Sequence, residues 1–136
     1  MYTTNVQVRV RYAETDQMGV VYYGNYATYF EVARVECFRN LGFSYKQLEA
    51  EGIMMPVLEL HSNYLRPAYY DDLLTIKVTI PKMPTVSIWF DYNVYNEQEQ
   101  IIHKAQTKLC FISAATNKLC RPHPSMITLL QPYFTE

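Results

Sequence analysis

The residues best placed to do chemistry are Tyr12-Ala13-Glu14-Thr15-Asp16-Gln17-Met18-Gly19 and the Val20-Val21-Tyr22-Tyr23-Gly24-Asn25-Tyr26 that follows them. They form a polar, glycine-containing loop that runs into a segment of helical periodicity. A helix N-terminus presents unpaired backbone N–H groups and a partial positive charge, so it polarises a carbonyl or holds an oxyanion. A carboxylate just upstream, here Asp16, can fold back over that end as a base or a nucleophile. Together the two are the minimum set for acyl transfer, and Gly24 would let a ligand approach the backbone closely. An aspartate in a polar loop ahead of a helix is more often a turn or capping residue. Residue types alone leave both readings open.

Other candidates are weaker. His61, His103 and His123 stand apart, with no partner at metal-ligand spacing, and are expected in structural or surface roles. Cys37, Cys110 and Cys120 form no C-x-x-C pair and leave an odd count, which speaks against a zinc site or a disulfide framework. No metal is expected. Asp71-Asp72 reads as a solvated turn. The net charge of −1 and the scatter of the cations among acids argue against nucleic acid as a partner. Arg66, Lys82, Lys118 and Arg121 fall at strand ends or loops, where a phosphate could be met, but each is expected to be a solvated surface residue. The opening residues show no charged-then-apolar leader, and no run approaches the roughly 18 apolar residues of a membrane span. A cytoplasmic protein without membrane insertion is expected.

The elements that must position the loop are legible from periodicity. A length of 136 residues suits one domain, expected to span 1–136. Val6, Val8, Val10 and Tyr12 alternate with polar residues as in a half-buried strand. Tyr26, Tyr29, Phe30, Ala33, Cys37 and Leu41 then recur at helical spacing, predicting a helix near 25–41 with Asn25 as N-cap and Gly42 just past its end. A short helix near 45–51 ends at Gly52. Strands are predicted at 56–65, 73–80, 86–95 and 101–113, with a terminal helix at 125–130. Short connections imply antiparallel pairing. The sum is an α+β domain whose sheet curls around one long helix, with the aromatic helix face as scaffold.

The string Tyr12-x-Glu14-Thr15-Asp16-x-x-Gly19-Val20-Val21-Tyr22-Tyr23-x-x-Tyr26 resembles the signature of the 4-hydroxybenzoyl-CoA thioesterase family, including the bacterial acyl-CoA thioesterases associated with the Tol-Pal gene cluster. Phe30-Glu31-Val32-Ala33-Arg34 and Tyr64-Leu65-Arg66-Pro67-Ala68-Tyr69-Tyr70-Asp71-Asp72-Leu73 also look like family segments. The resemblance implies a hotdog fold, a curved antiparallel sheet of about five strands wrapped around one long helix. It implies hydrolysis of a fatty or aromatic acyl-CoA, with no cofactor beyond the coenzyme A of the substrate, by a homodimer or homotetramer.

Carried over by position, the resemblance makes Asp16 the catalytic carboxylate and the backbone N–H near Tyr23 and Gly24 the donor to the thioester carbonyl. Many members with the nearest pattern have His where this chain has Tyr23, a change that costs little if the backbone is the donor. Tyr12 is expected on the strand before the loop, where its hydroxyl would orient a ligand or Asp16, or simply pack. Some other hotdog branches use a helix carboxylate, which makes Glu31 the second candidate. Its spacing from Arg34 suits a helix ion pair instead. A non-catalytic module that binds acyl-CoA or acyl carrier protein is the alternative function.

Overall fold

The computed structural model describes residues 1–134. Strand β1 covers Tyr2–Arg9, with Tyr2 and Val6 buried, Thr3 and Asn5 exposed and Thr4 half-buried between them. The apolar period continues to Val10, whose N–H and C=O pair with Asp72 and Asp71. The ladder stops at Arg11, because its amide donates to the Glu14 carboxylate at 2.8 Å. The chain therefore coils into a single 3-10 turn at Tyr12–Glu14, not the strand expected at Tyr12.

Helix α1 runs Asn25–Leu41, and Gly24, not Asn25, is its N-cap. Gly42, at φ 101°, closes the helix in the left-handed region, where a side chain would be strained. Phe43 N–H then reaches back to the Phe38 carbonyl at 2.8 Å. Helix α2, Tyr45–Ala50, is capped by the Ser44 hydroxyl, which accepts from Gln47 N–H at 3.1 Å. The strands that follow are β2 (Ile53–Met54), β3 (Val57–Tyr64), β4 (Leu73–Ile80), β5 (Ser87–Tyr95), β6 (Ile101–Cys110), β7 (Ile112–Ser113) and β8 (Lys118–Leu119), with α3 at Pro124–Leu130.

Five strands form one antiparallel sheet in the order β1-β4-β5-β6-β3. The β5–β6 turn is set by Asn96, whose Oδ1 accepts from the amides of Gln98 and Gln100 at 3.0 and 2.9 Å. The single strand expected over 101–113 is interrupted at Phe111. That residue is buried, and it bonds through its main chain to Val86 and Cys120, outside the ladder. Ile112 and Ser113 join a second, three-stranded sheet, β2-β7-β8.

Strands β4 and β5 bury alternate residues, and α1 lies over that buried face. Phe30 stacks on Tyr92 with centroids 4.4 Å apart, Phe38 meets Phe90 edge-on at 5.7 Å, and Tyr26 stacks on His103 at 4.1 Å. Each such burial contributes about 1.5–3 kcal/mol. They fix the helix across the sheet, and so fix where its N-terminus points. The three cysteines are free.

Candidate active site

The loop between the 3-10 turn and α1 is closed on itself. Thr15 bridges Val21 and Val20 bridges Tyr69. Asp16 N–H donates to the Val20 carbonyl at 2.8 Å, and Val21 N–H to Ala68 at 2.8 Å. Gly19, at φ 78°, makes the reversal that a side chain would strain. The carbonyl of Glu14 then staples the loop base to the helix, accepting from Tyr22 N–H at 2.9 Å and from the Asn25 side-chain amide at 2.7 Å.

Within this frame Asp16 divides its labour. Oδ1 accepts from Met18 N–H at 2.9 Å and from Val20 N–H at 3.5 Å, the capping role expected of a turn aspartate. Oδ2 has no hydrogen-bond partner among the described residues. One oxygen holds the loop and the other is available.

The helix end is equally open. Asn25 and Tyr26 amides bond back to Tyr22 and Tyr23, whereas the amides of Tyr23 and Gly24 donate to nothing among the described residues. Two free N–H groups at the positive end of a helix seventeen residues long are suited to a developing oxyanion. Gly24 is also crowded: a Cβ there would stand 2.9 Å from the Tyr22 ring. The Tyr64 hydroxyl donates to the Tyr23 carbonyl at 3.3 Å, and its ring meets Tyr26 edge-on at 5.7 Å. A cleft of about 250 Å³ opens beside this junction, lined by Val20, Val21, Tyr26, Tyr64, Arg66 and Ala68 among others.

A model of the thioesterase superfamily matches residues 18–103, beginning two residues past Asp16. The chain belongs to this superfamily. It is a thioester hydrolase, and its fold is the hotdog fold expected from the resemblance. A crystal structure of DHNA-CoA thioesterase from Staphylococcus aureus is similar at a TM-score of 0.93 and 34% identity, covering 98% of this chain and 91% of that one. The putative acyl-CoA thioesterase YneP of Bacillus subtilis is 33% identical over 105 residues, 77% of this chain and 76% of the relative. The acyl-CoA thioester hydrolase YbgC of Escherichia coli O6:H1 is 35% identical over 99 residues, 73% and 74% of the two chains.

In this thioesterase the structure brings Asp16, Tyr23 and Gly24 into one stapled loop. It sets Tyr12 apart: that side chain is 77% exposed and packs edge-on against Tyr70 at 5.6 Å. No hydrogen bond joins it to Asp16 among the described residues. Glu31 is exposed on α1 and makes no ion pair with Arg34, whose guanidinium turns inward to the Tyr92 hydroxyl at 3.1 Å. Helix spacing brings the two within reach, but the buried hydroxyl takes the cation. Of the four cations considered for a phosphate, Arg66 is the one that lines the cleft at the helix end. Among the described residues no three His, Cys, Asp or Glu side chains converge as a metal site, and no helix is long and apolar enough to cross a membrane.

Two further residues support the loop and the helix end. Glu14 is 9% exposed, and its carboxylate accepts from Arg11 N–H, the Arg11 guanidinium and the Tyr29 hydroxyl. Burial pushes its carboxyl up, but those hydrogen bonds outweigh it and hold it below the usual glutamate value. Its sequence signal is its place in the family string, two residues before Asp16, which does not show that the side chain is buried. His103 is wholly buried against Tyr26, and burial lowers its imidazole to about 4, so it is neutral at physiological pH.

Proposed function

We propose that this thioesterase hydrolyses acyl-CoA to a free acid and coenzyme A. The observation that carries this reading is the free Oδ2 of Asp16 on a loop stapled to a helix end with two unpaired amides. The Tyr23 and Gly24 amides polarise the thioester carbonyl and take up the charge that develops on its oxygen. Asp16 either draws a proton from a water, which adds to the carbonyl carbon, or attacks that carbon itself to give an anhydride that water then opens. In both routes the C–S bond breaks and CoA leaves as the thiolate. Neither route needs a metal or a cofactor beyond the CoA of the substrate.

The apolar wall of Val20, Val21 and Ala68 suits part of a fatty or aromatic acyl thioester, with Arg66 on the same cleft for a negative group. Relatives named for acyl-CoA and for DHNA-CoA support that substrate class. The loop motif favours a place beside the 4-hydroxybenzoyl-CoA and Tol-Pal-associated enzymes. Strand β3 is a sheet edge exposed along nearly its whole length, with Val57, Leu58, Leu60 and Tyr64 open to solvent, which supports edge pairing into a homodimer and onward to a tetramer. A cytoplasmic setting fits the free thiols.

The test is thiol release from a panel of fatty and aromatic acyl-CoAs by wild type and Asp16→Asn. The substitution keeps shape and removes charge and basicity. A loss of about a hundredfold or more in kcat, with the fold intact, is expected of a positioned base. Equal and slow hydrolysis by both proteins would instead leave a module that binds acyl-CoA or acyl carrier protein without turning it over.

A further inference from the structure

Arg34 carries its charge into the core. It is 6% exposed on the α1 face that otherwise buries aromatic and aliphatic side chains. Nη1 donates to the Tyr92 hydroxyl at 3.1 Å, and that hydroxyl pairs with Thr107 Oγ1 at 2.7 Å. Nε–H is enclosed and meets no acceptor. Among the described residues no carboxylate lies within ion-pairing distance of this guanidinium. An isolated buried cation with an unpaired donor is costly, and native folds keep one where something completes it.

A second buried polar group adjoins the guanidinium. The Tyr45 hydroxyl on α2 is enclosed beside Arg34 and its own proton meets no acceptor, while its ring packs against Phe38 at 5.3 Å. Arg34 and Tyr45 line one cavity of about 260 Å³, walled by Leu48, Ile53, Met54 and Met55. Burial pushes the Tyr45 phenol up to about 12 despite the neighbouring guanidinium, so it stays a donor. The cavity thus sets a buried cation and a phenol in one wall against apolar side chains in another. The exposed Glu31 and Glu49 also line it and disfavour a dianion such as phosphate. Arg34 lies ten residues beyond Gly24, about 15 Å along the helix axis, so this cavity is separate from the helix end.

We propose that the Arg34–Tyr45 cavity binds the carboxylate of a small monocarboxylic acid, with the hydrocarbon of that acid against Leu48, Ile53, Met54 and Met55. The carboxylate belongs either to a free acid or to the far end of an acyl group. The second source rests on the thioesterase reading above.

Hexanoate is titrated by calorimetry into wild type, Asp16→Asn, Tyr45→Phe and Arg34→Lys, with hexylamine as the control. Saturable hexanoate binding is expected in wild type and Asp16→Asn, about tenfold weaker binding in Tyr45→Phe, where one hydrogen bond is lost, and no hexylamine binding. Tyr45→Phe keeps the ring against Phe38, so it stays interpretable if Arg34→Lys does not fold. Absence of saturation, equal affinity in folded Tyr45→Phe, or equal binding of hexylamine overturns the proposal. The source is resolved by kcat/KM for adipoyl-CoA against hexanoyl-CoA. A fall of about tenfold in that ratio in Tyr45→Phe assigns the site to substrate, and an unchanged ratio with weakened hexanoate binding assigns it to a free acid. If no CoA thioester is hydrolysed, the thioesterase reading fails and the hexanoate titration still decides the cavity.

Discussion

Replacing Glu14 tests whether the loop is held by a buried carboxylate. In Glu14→Ala the Tyr29 hydroxyl, on a residue 1% exposed, loses its acceptor, which costs about 1–3 kcal/mol for an unsatisfied buried group. The Arg11 amide loses the bond that caps the 3-10 turn, about 1 kcal/mol more on the scale of helix caps. The Arg11 guanidinium, 75% exposed in its side chain, returns to water at little cost. The sum is about 3 kcal/mol, a fall of about 2 M in urea midpoint for a chain of this size. Glu14→Gln keeps an acceptor oxygen for both the Arg11 amide and Tyr29, so its loss stays below about 1 kcal/mol. The carboxyl is held below its unfolded value, so its charge stabilises the fold above the unfolded pKa. That contribution disappears as pH falls through the lower folded value, and the gap between wild type and Glu14→Gln narrows as the pH drops below the unfolded glutamate range. Urea unfolding at fixed protein concentration, at pH 7 and at pH 3.5, reads all three quantities. Equal losses for Ala and Gln, or a loss under about 1 kcal/mol for Ala, would refute the reasoning.

His103 supplies a second pH dependence. Its imidazole is lowered to about 4 by burial while the unfolded chain binds a proton near 6.5, so stability is full above that pH and declines as pH falls from 6.5 through 4. The slope from this residue is at most about 1.4 kcal/mol per pH unit, and it should be absent in His103→Phe, which keeps a ring against Tyr26. Gly24→Ala has an ordinary φ of −67° and should cost under about 1 kcal/mol in stability. Its Cβ displaces the Tyr22 ring beside the free amides, so kcat/KM for an acyl-CoA should fall roughly tenfold. Unchanged kinetics in a folded Gly24→Ala would remove that amide from the oxyanion site.

The amphipathic period from Tyr26 to Leu41 sets α1 because residues spaced three and four apart share one helix face, and Gly42 ends it because its backbone adopts φ 101°. The same local logic covers the alternation in β4 and β5, the turn at Asn96, and the loop aspartate ahead of a helix end. All of these depend on neighbours within a few positions. Tertiary contact decided the rest. Period-2 alternation says which face of a strand is buried, not which strand it joins, so the pairing of β1 with β4 and of β3 with β6 came only from the packed sheet. Tyr12 left the strand because Glu14 captured the Arg11 amide, and Phe111 broke β6 because its main chain bonds to Val86 and Cys120. Arg34 reads from spacing as the ion-pair partner of Glu31 on a helix surface. It became a buried cation over a cavity because Tyr92, fifty-eight residues away in sequence, lies opposite it with a hydroxyl to offer.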